Sequence, residues 1–211
     1  RRTVVACYGK YVAFCEGDDY WHAPDKLAKQ VGFLEAHPDY GMVHSHAHFC
    51  DLTTGRFKPN AFRCPRKLND ADAYLEILTR YREIVTASAC VRRDLMEQVV
   101  RECPECTDPR FLMGDTQRWL ELARRARVKC LHEPLVTKNS LAESATRSRD
   151  PARILRFTQN VRELYLHYLH KYECPEKVAR SLKQRTAESV LYRAYLALDA
   201  AQAAAMWTEL H

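Results

Sequence analysis

The sequence has no run of about 18 or more uncharged apolar residues, which excludes a membrane-spanning helix and leaves contact with a membrane surface open. It has no internal period, which excludes a solenoid. No tail concentrates its charge: 33 lysines and arginines against 27 acidic residues leave a net of +6 diluted over 211 residues. No basic stripe interleaves with aromatics, which argues against nucleic acid as a partner and leaves an anionic small ligand or an acidic surface. After Arg1 and Arg2 comes only a five-residue apolar stretch before Gly9 and Lys10, too short for a signal-peptide core. An initiator methionine is also missing, and the chain reads as the later part of a longer protein.

Cysteine is not scarce. There are nine, an odd number spread over the whole length, several inside apolar runs where the residue acts as a small hydrophobe. That pattern predicts reduced thiols in a cytosol-like compartment rather than a secreted disulfide scaffold. With 46% hydrophobic and 28% charged residues, the composition is that of an ordinary globular protein, one domain with an appendage.

Periodicity divides the chain near residue 150. Lys10 to Cys15 is an apolar, aromatic and β-branched run that stops at Glu16-Gly17-Asp18-Asp19, as a buried strand does on leaving a sheet. Pro24 opens a helix over Asp25 to Ala36, with Leu27, Val31, Phe33 and Leu34 as its apolar positions and His37-Pro38 as its stop. Gly41 to Phe49 predicts a strand, and turn residues from Asp51 to Gly55 lead to a hairpin return at Arg56 to Lys58. Asn69-Asp70 caps a helix to about Arg80, Ile84 to Val91 predicts a strand, and Arg92 to Val100 a short helix. Gly114-Asp115 starts an amphipathic helix with Trp119, Leu120, Leu122 and Ala123 on one face, and Val128 to Leu131 is a short strand ending at Pro134. This alternation predicts an α/β unit over residues 1–149. Residues 150–211 are helical only, over Ala152 to Lys171 and Pro175 to about Leu210; the stripe Phe157, Val161, Leu164, Tyr165 and Tyr168 is a packing face.

Several residue groups carry chemistry. Glu16, Asp18 and Asp19 lie at the exit of a strand, where open α/β sheets bind ligands, and carboxylates so placed suit a hard divalent cation shared with substrate phosphates. A solvated acidic loop is the plainer reading of the same residues. His44, His46 and His48 alternate on a strand and so share a face, as a transition-metal ligand set or as the lining of a binding site. Cys103 and Cys106 form a single CxxC, half of a zinc site or a redox pair, with only Cys130-Leu131-His132 to supply further ligands; a loop with two thiols is the plainer reading. Asp115 is placed to cap the helix that follows it.

The residues from Gly9 to Trp21, followed by Pro24-Asp25-Lys26-Leu27 and Gln30-Val31, closely resemble the metal-binding segment of family 2 glycosyltransferases, the DxD-like motif of the GT-A fold. The likeness continues from Phe33 to Gly41 and returns at Gly114-Asp115 with Trp119-Leu120-Glu121-Leu122, where that family has its catalytic-base motif. The resemblance implies a partial GT-A (Rossmann-like) sheet with flanking helices, and metal-dependent inverting transfer of a sugar from a nucleotide-sugar donor to a saccharide or lipid-linked acceptor hydroxyl. It implies that Asp18 and Asp19, with Glu16 where many members have Asp, hold Mn2+ or Mg2+ on the donor diphosphate. Asp115 is the implied general base, and Gly114 stands where many relatives have Glu. Arg147 and Arg149, in a segment similar to one that closes over the active site, are implied to meet donor phosphates or an anionic acceptor.

Family members begin with a strand, a nucleotide-binding loop and an acidic residue that contacts the base, upstream of the block that starts here near Gly9. Their absence predicts a folded chain that lacks most of the nucleotide pocket and exposes apolar surface, prone to self-association. The expected place is the cytoplasm, peripheral at the inner face of the membrane. The alternative function is a non-catalytic binding module on the same scaffold.

Overall fold

The computed structural model describes residues 6–141, 148 and 150–211. The chain forms two compact units, one of Arg1–Asp108 with Gly114–Leu141, the other of Pro109–Met113 with Ala142–His211. It is a mixed α/β protein, with seven α-helices among the described residues. Among the described residues, no helix is long and apolar enough to cross a membrane. All nine cysteines are free thiols.

The first unit is built on a six-stranded sheet: β1 (Tyr11–Ala13), β2 (Tyr20–Trp21), β3 (Tyr40–Asp51), β4 (Arg56–Phe62), β5 (Cys90–Arg92) and β6 (Arg127–Ser140). The strand order is β1-β5-β3-β6-β2, and β4 also pairs with β3. β3 is the spine. One edge pairs with β5 at Met42 and Val43 and with β4 from Ala47 to Asp51, while the other runs parallel to β6 along its length. The remaining pairs are antiparallel. Met42, Val43 and Ala47 are fully buried, as a central strand covered on both faces requires.

Four helices belong to this unit: α1 (Lys26–Ala36), α2 (Ala73–Leu78), α3 (Arg93–Glu102) and α4 (Thr116–Arg125). Leu34 of α1 packs with Tyr40, Val43 and Cys90. Complete burial of such a side chain contributes roughly 1.5–3 kcal/mol. The buried line of α1 is Lys26, Gln30 and Leu34, while Leu27, expected inside, is 41% exposed. The helix is rotated because Lys26 Nζ lies 4.2 Å over the Trp21 ring and donates to Gln30 Oε1 at 2.8 Å, which makes a buried lysine tolerable. On α4 the expected face holds: Trp119, Leu120, Leu122 and Ala123 are all buried.

Three sequence expectations change. Ile84 to Val91 is not one strand; Thr86–Ser88 is a 3-10 turn closed by Ser88 N donating to Val85 O at 2.8 Å, and only Cys90–Arg92 pairs in the sheet. β6 does not stop at Pro134 but runs on to Ser140, because a register shift between Ser45 and His46 places the proline at an irregularity where no ladder N–H is needed. The last helical stretch is two helices.

The second unit contains α5 (Pro151–Lys171), α6 (Glu176–Leu196) and α7 (Ala200–Leu210). Asp150 caps α5 through Ala152 N at 2.9 Å. Leu198 adopts a left-handed φ of 56° and Asp199 caps α7 by accepting from Gln202 N, which together break the alanine-rich run. Leu155, Ala187, Val190, Ala194 and Met206 form the core of the bundle. Leu164, Tyr165 and Tyr168 of the expected stripe are buried.

Candidate functional site

Beyond β1 the chain turns sharply, with Asp19 N donating to Glu16 O at 3.1 Å, and enters β2, which pairs with β6. The end of β6 then grips the turn: Asn139 N donates to Asp19 Oδ1 at 2.8 Å, and Asn139 Nδ2 donates to Asp18 O. Glu16 and Asp18 are exposed, whereas Asp19 is only 8% exposed. Its Oδ2 atom is buried with no hydrogen-bond partner. Burial pushes the Asp19 carboxyl up from its usual range, opposed by the Asn139 N–H, and the negative charge of Asp18 adds to the rise. Glu16 is pushed up by desolvation, then by the charges of Asp19 and Asp115, with Lys138 opposing.

The fold therefore brings Asp115 into electrostatic range of the acidic turn. Asp115 stands at the N-cap position of α4, yet its side chain makes no capping hydrogen bond. Its Oδ2 instead accepts from Thr86 Oγ1 at 2.7 Å, and its Oδ1 is held more loosely by Thr116 Oγ1 at 3.3 Å. The turn that carries Thr86 is itself pinned. Trp21 Nε1 donates to Ala87 O at 2.9 Å and to Phe14 O at 3.2 Å, and Gln30 Nε2 donates to Ser88 O at 2.7 Å. Trp119 of α4 meets Phe14 edge-on at 5.4 Å. Thr86, Trp21 and Gln30 thus hold the geometry between acidic turn and base candidate, a role sequence reading does not assign to them.

Glu16, Asp18 and Asp19 offer only oxygen, and the orphaned Asp19 Oδ2 lacks a cation or donor. Oxygen donors suit Mg2+ or Mn2+, but the three carboxylates do not gather into a metal-holding group among the described residues. Arg147 and Arg149 lie outside the described residues.

The three strand histidines separate. His48 stacks on His22 at 4.6 Å and accepts from Asn60 N at 2.8 Å. His44 and His46 are buried and meet Cys64, Cys130 and His132 instead. The Cys64 thiol is pushed down by the Cys130 thiol beside it and then by His44, against its own burial. Cys103 and Cys106 belong to no such group among the described residues. Both are buried, Arg125 Nη2 lies 3.3 Å from Cys103 Sγ, and burial pushes the Cys106 thiol up to about 12, which leaves it inert as a thiolate.

No protein-family model matches the chain. One 37-residue stretch is 59% identical to uncharacterized proteins of Mycobacterium bovis and of two strains of Mycobacterium tuberculosis. The similarity spans 18% of this chain and 11% of the length of each of these relatives.

Proposed function

We propose that this chain carries the metal-binding turn and the catalytic base of an inverting, GT-A-type glycosyltransferase of family 2, which moves a sugar from a nucleotide-sugar donor to a saccharide or lipid-linked acceptor hydroxyl. The observation that carries this reading is that Asp115, from a distant part of the sequence, is held by Thr86 in the turn that Trp21 ties to the end of β1, so that its charge reaches Glu16. The acidic turn leaves a strand of a sheet that is antiparallel except for the β3–β6 pair, so the support for the reading comes from the turn and Asp115 rather than from a Rossmann-like topology.

In this reading Asp18 and Asp19, supported by Glu16, would hold Mn2+ or Mg2+. When bound, the ion supplies Lewis-acid stabilisation of the charge on the departing nucleoside diphosphate. Asn139 N–H holds Asp19 through Oδ1, and Asp19 Oδ2 has no hydrogen-bond partner. Asp115 takes the proton of the acceptor hydroxyl as that oxygen bonds to the anomeric carbon and the bond from this carbon to the diphosphate oxygen breaks. Thr86 holds the Asp115 carboxylate through Oδ2, leaving the looser Oδ1 to receive the proton.

Calorimetric titration of a panel of nucleoside diphosphates, with and without Mn2+, tests the reading. Binding that requires Mn2+ and disappears in Asp18→Ala is the expected result. Binding that persists in Asp18→Ala overturns the assignment of the acidic turn.

A further inference from the structure

We propose that His44, Cys64 and Cys130 form a transition-metal site of the zinc class, with its fourth position facing a cavity where His46 and His132 stand. The sheet itself assembles most of the ligands. β3 and β6 run parallel with His44 directly opposite Cys130, and the two-residue repeat of a strand returns His46 to the face of His44. Between Ser45↔Leu131 and His46↔Pro134 the register slips, so His132 and Glu133 are extra residues on β6. Such irregularities re-aim side chains. Here His132 meets the His46 ring edge-on at 5.2 Å. Cys64 arrives from the segment that follows β4.

The ligand atoms of His44, Cys64 and Cys130 all lie within 4.8 Å of one another, and so do those of His46, Cys130 and His132. A tetrahedron with bonds of about 2.3 Å to sulfur and about 2.0 Å to nitrogen separates its corners by roughly 3.3–3.8 Å, so small side-chain shifts close the site. His44, Cys64 and Cys130 are 0%, 7% and 1% exposed.

The surroundings leave the imidazoles without another role. None of the four buried ring nitrogens of His44 and His46 makes a hydrogen bond of good geometry, although His44 lies against the Cys64 thiol and His46 near the Asn60 side chain. Each unsatisfied buried polar group costs about 1–3 kcal/mol, so two such rings side by side need a ligand to account for them. The thiols' contacts to carbonyls are long, 3.9 Å from Cys64 to Glu83 and 3.7 Å from Cys130 to Leu131, and the two sulfurs otherwise face each other and His44. Sulfur and imidazole donors without a carboxylate select zinc and its neighbours over magnesium or calcium. A cavity of about 710 Å3, lined by His46, Cys64 and His132 with Arg63 and Arg66, gives the ion a way in. On binding, each thiol releases its proton to solvent and its sulfur lone pair forms the bond to the metal.

The test begins with metal analysis of the purified chain and cobalt titration of the chelator-stripped form. About one zinc per chain is expected, with Co2+ giving a thiolate charge-transfer band and the intense visible bands of tetrahedral coordination, both abolished by Zn2+. Cys64→Ser and His44→Ala lose the cobalt spectrum, and Cys50→Ser, outside the cluster, retains it. The wild-type spectrum stands as a test even if a variant does not fold. A folded wild-type chain that takes up neither metal overturns the proposal, as does a Cys64–Cys130 disulfide in peptide mapping or an unchanged spectrum in folded Cys64→Ser.

Discussion

The acidic turn after β1 and the cluster between β3 and β6 belong to one sheet and differ in each property that selects a metal. The turn offers carboxylate oxygen from residues adjacent in sequence, with Glu16 and Asp18 open to solvent. The cluster offers sulfur and imidazole nitrogen from three separate segments, with His44, His46, Cys64 and Cys130 buried and His132 at the exposed side. Hard ions that share their coordination with substrate phosphates follow the first chemistry, and zinc-class ions follow the second. On the two proposals, position on the sheet separates exchange from retention: an exposed ion would arrive with a substrate, whereas a buried one would add its binding energy to folding.

The largest way to perturb this contrast is from below the cluster. The Arg82 side chain is fully enclosed, donates at 2.8 Å to Glu76 and 3.2 Å to Asp70, and reaches Val128 O at 2.6 Å, two residues from Cys130. Arg82→Ala leaves the mostly buried Glu76 without its cation and Asp70 with only Lys129, 3.2 Å away, and is expected to lower the unfolding free energy by about 3 kcal/mol in urea titration. A loss below about 1 kcal/mol would show that the network does not support the strand carrying Cys130.

At the acidic turn the effect moves from stability to rate. Asp115→Asn is expected to slow sugar transfer by about 10²–10⁴-fold while leaving Mn2+-nucleotide binding intact. Thr86→Val, which removes only the 2.7 Å bond to Asp115, is expected to slow it about tenfold. A parallel loss of nucleotide affinity in Asp115→Asn would place that residue among the donor ligands and remove the distinction between base and metal holder.

The smallest effect separates charge from hydrogen bonding at Asp19. Because burial raises the folded-state pKa of Asp19 and Glu16, their contribution to stability is fully present at low pH and is lost as pH rises through their raised titration range. Asp19→Asn keeps an acceptor for Asn139 N–H and removes the charge. In metal-free buffer at neutral pH it is expected to stabilise the chain by on the order of 0.5 kcal/mol and to flatten the pH profile of thermal unfolding. Destabilisation at neutral pH would show that the carboxylate is satisfied without a metal.

The same contrast explains what could be read from the sequence. The acidic turn was legible because its residues are contiguous and follow an apolar strand. The face of α4 was legible because Trp119, Leu120, Leu122 and Ala123 follow the helical repeat. The sulfur–imidazole cluster was half visible: His44 and His46 showed their alternation, and Cys130-Leu131-His132 stood out as spare ligands. What joins them is the parallel register of β3 with β6 and the slip at His46, and no local spacing encodes either. Cys64, within Arg63-Cys64-Pro65-Arg66, carries no motif at all. Pro134 was misread as a stop because the slip that accommodates it is set by the neighbouring strand. The apolar run from Ile84 to Val91 concealed a buried turn, since burial and strand pairing draw on the same residues.

The most direct measurement is Mn2+-dependent nucleoside diphosphate binding compared side by side in Asp18→Ala and Cys64→Ser, with zinc content determined on the same samples. The account predicts that Asp18→Ala loses nucleotide binding and keeps zinc, while Cys64→Ser loses zinc and keeps nucleotide binding. Loss of both properties in a folded form of either variant, or of neither, would contradict the division of the sheet into two metal sites.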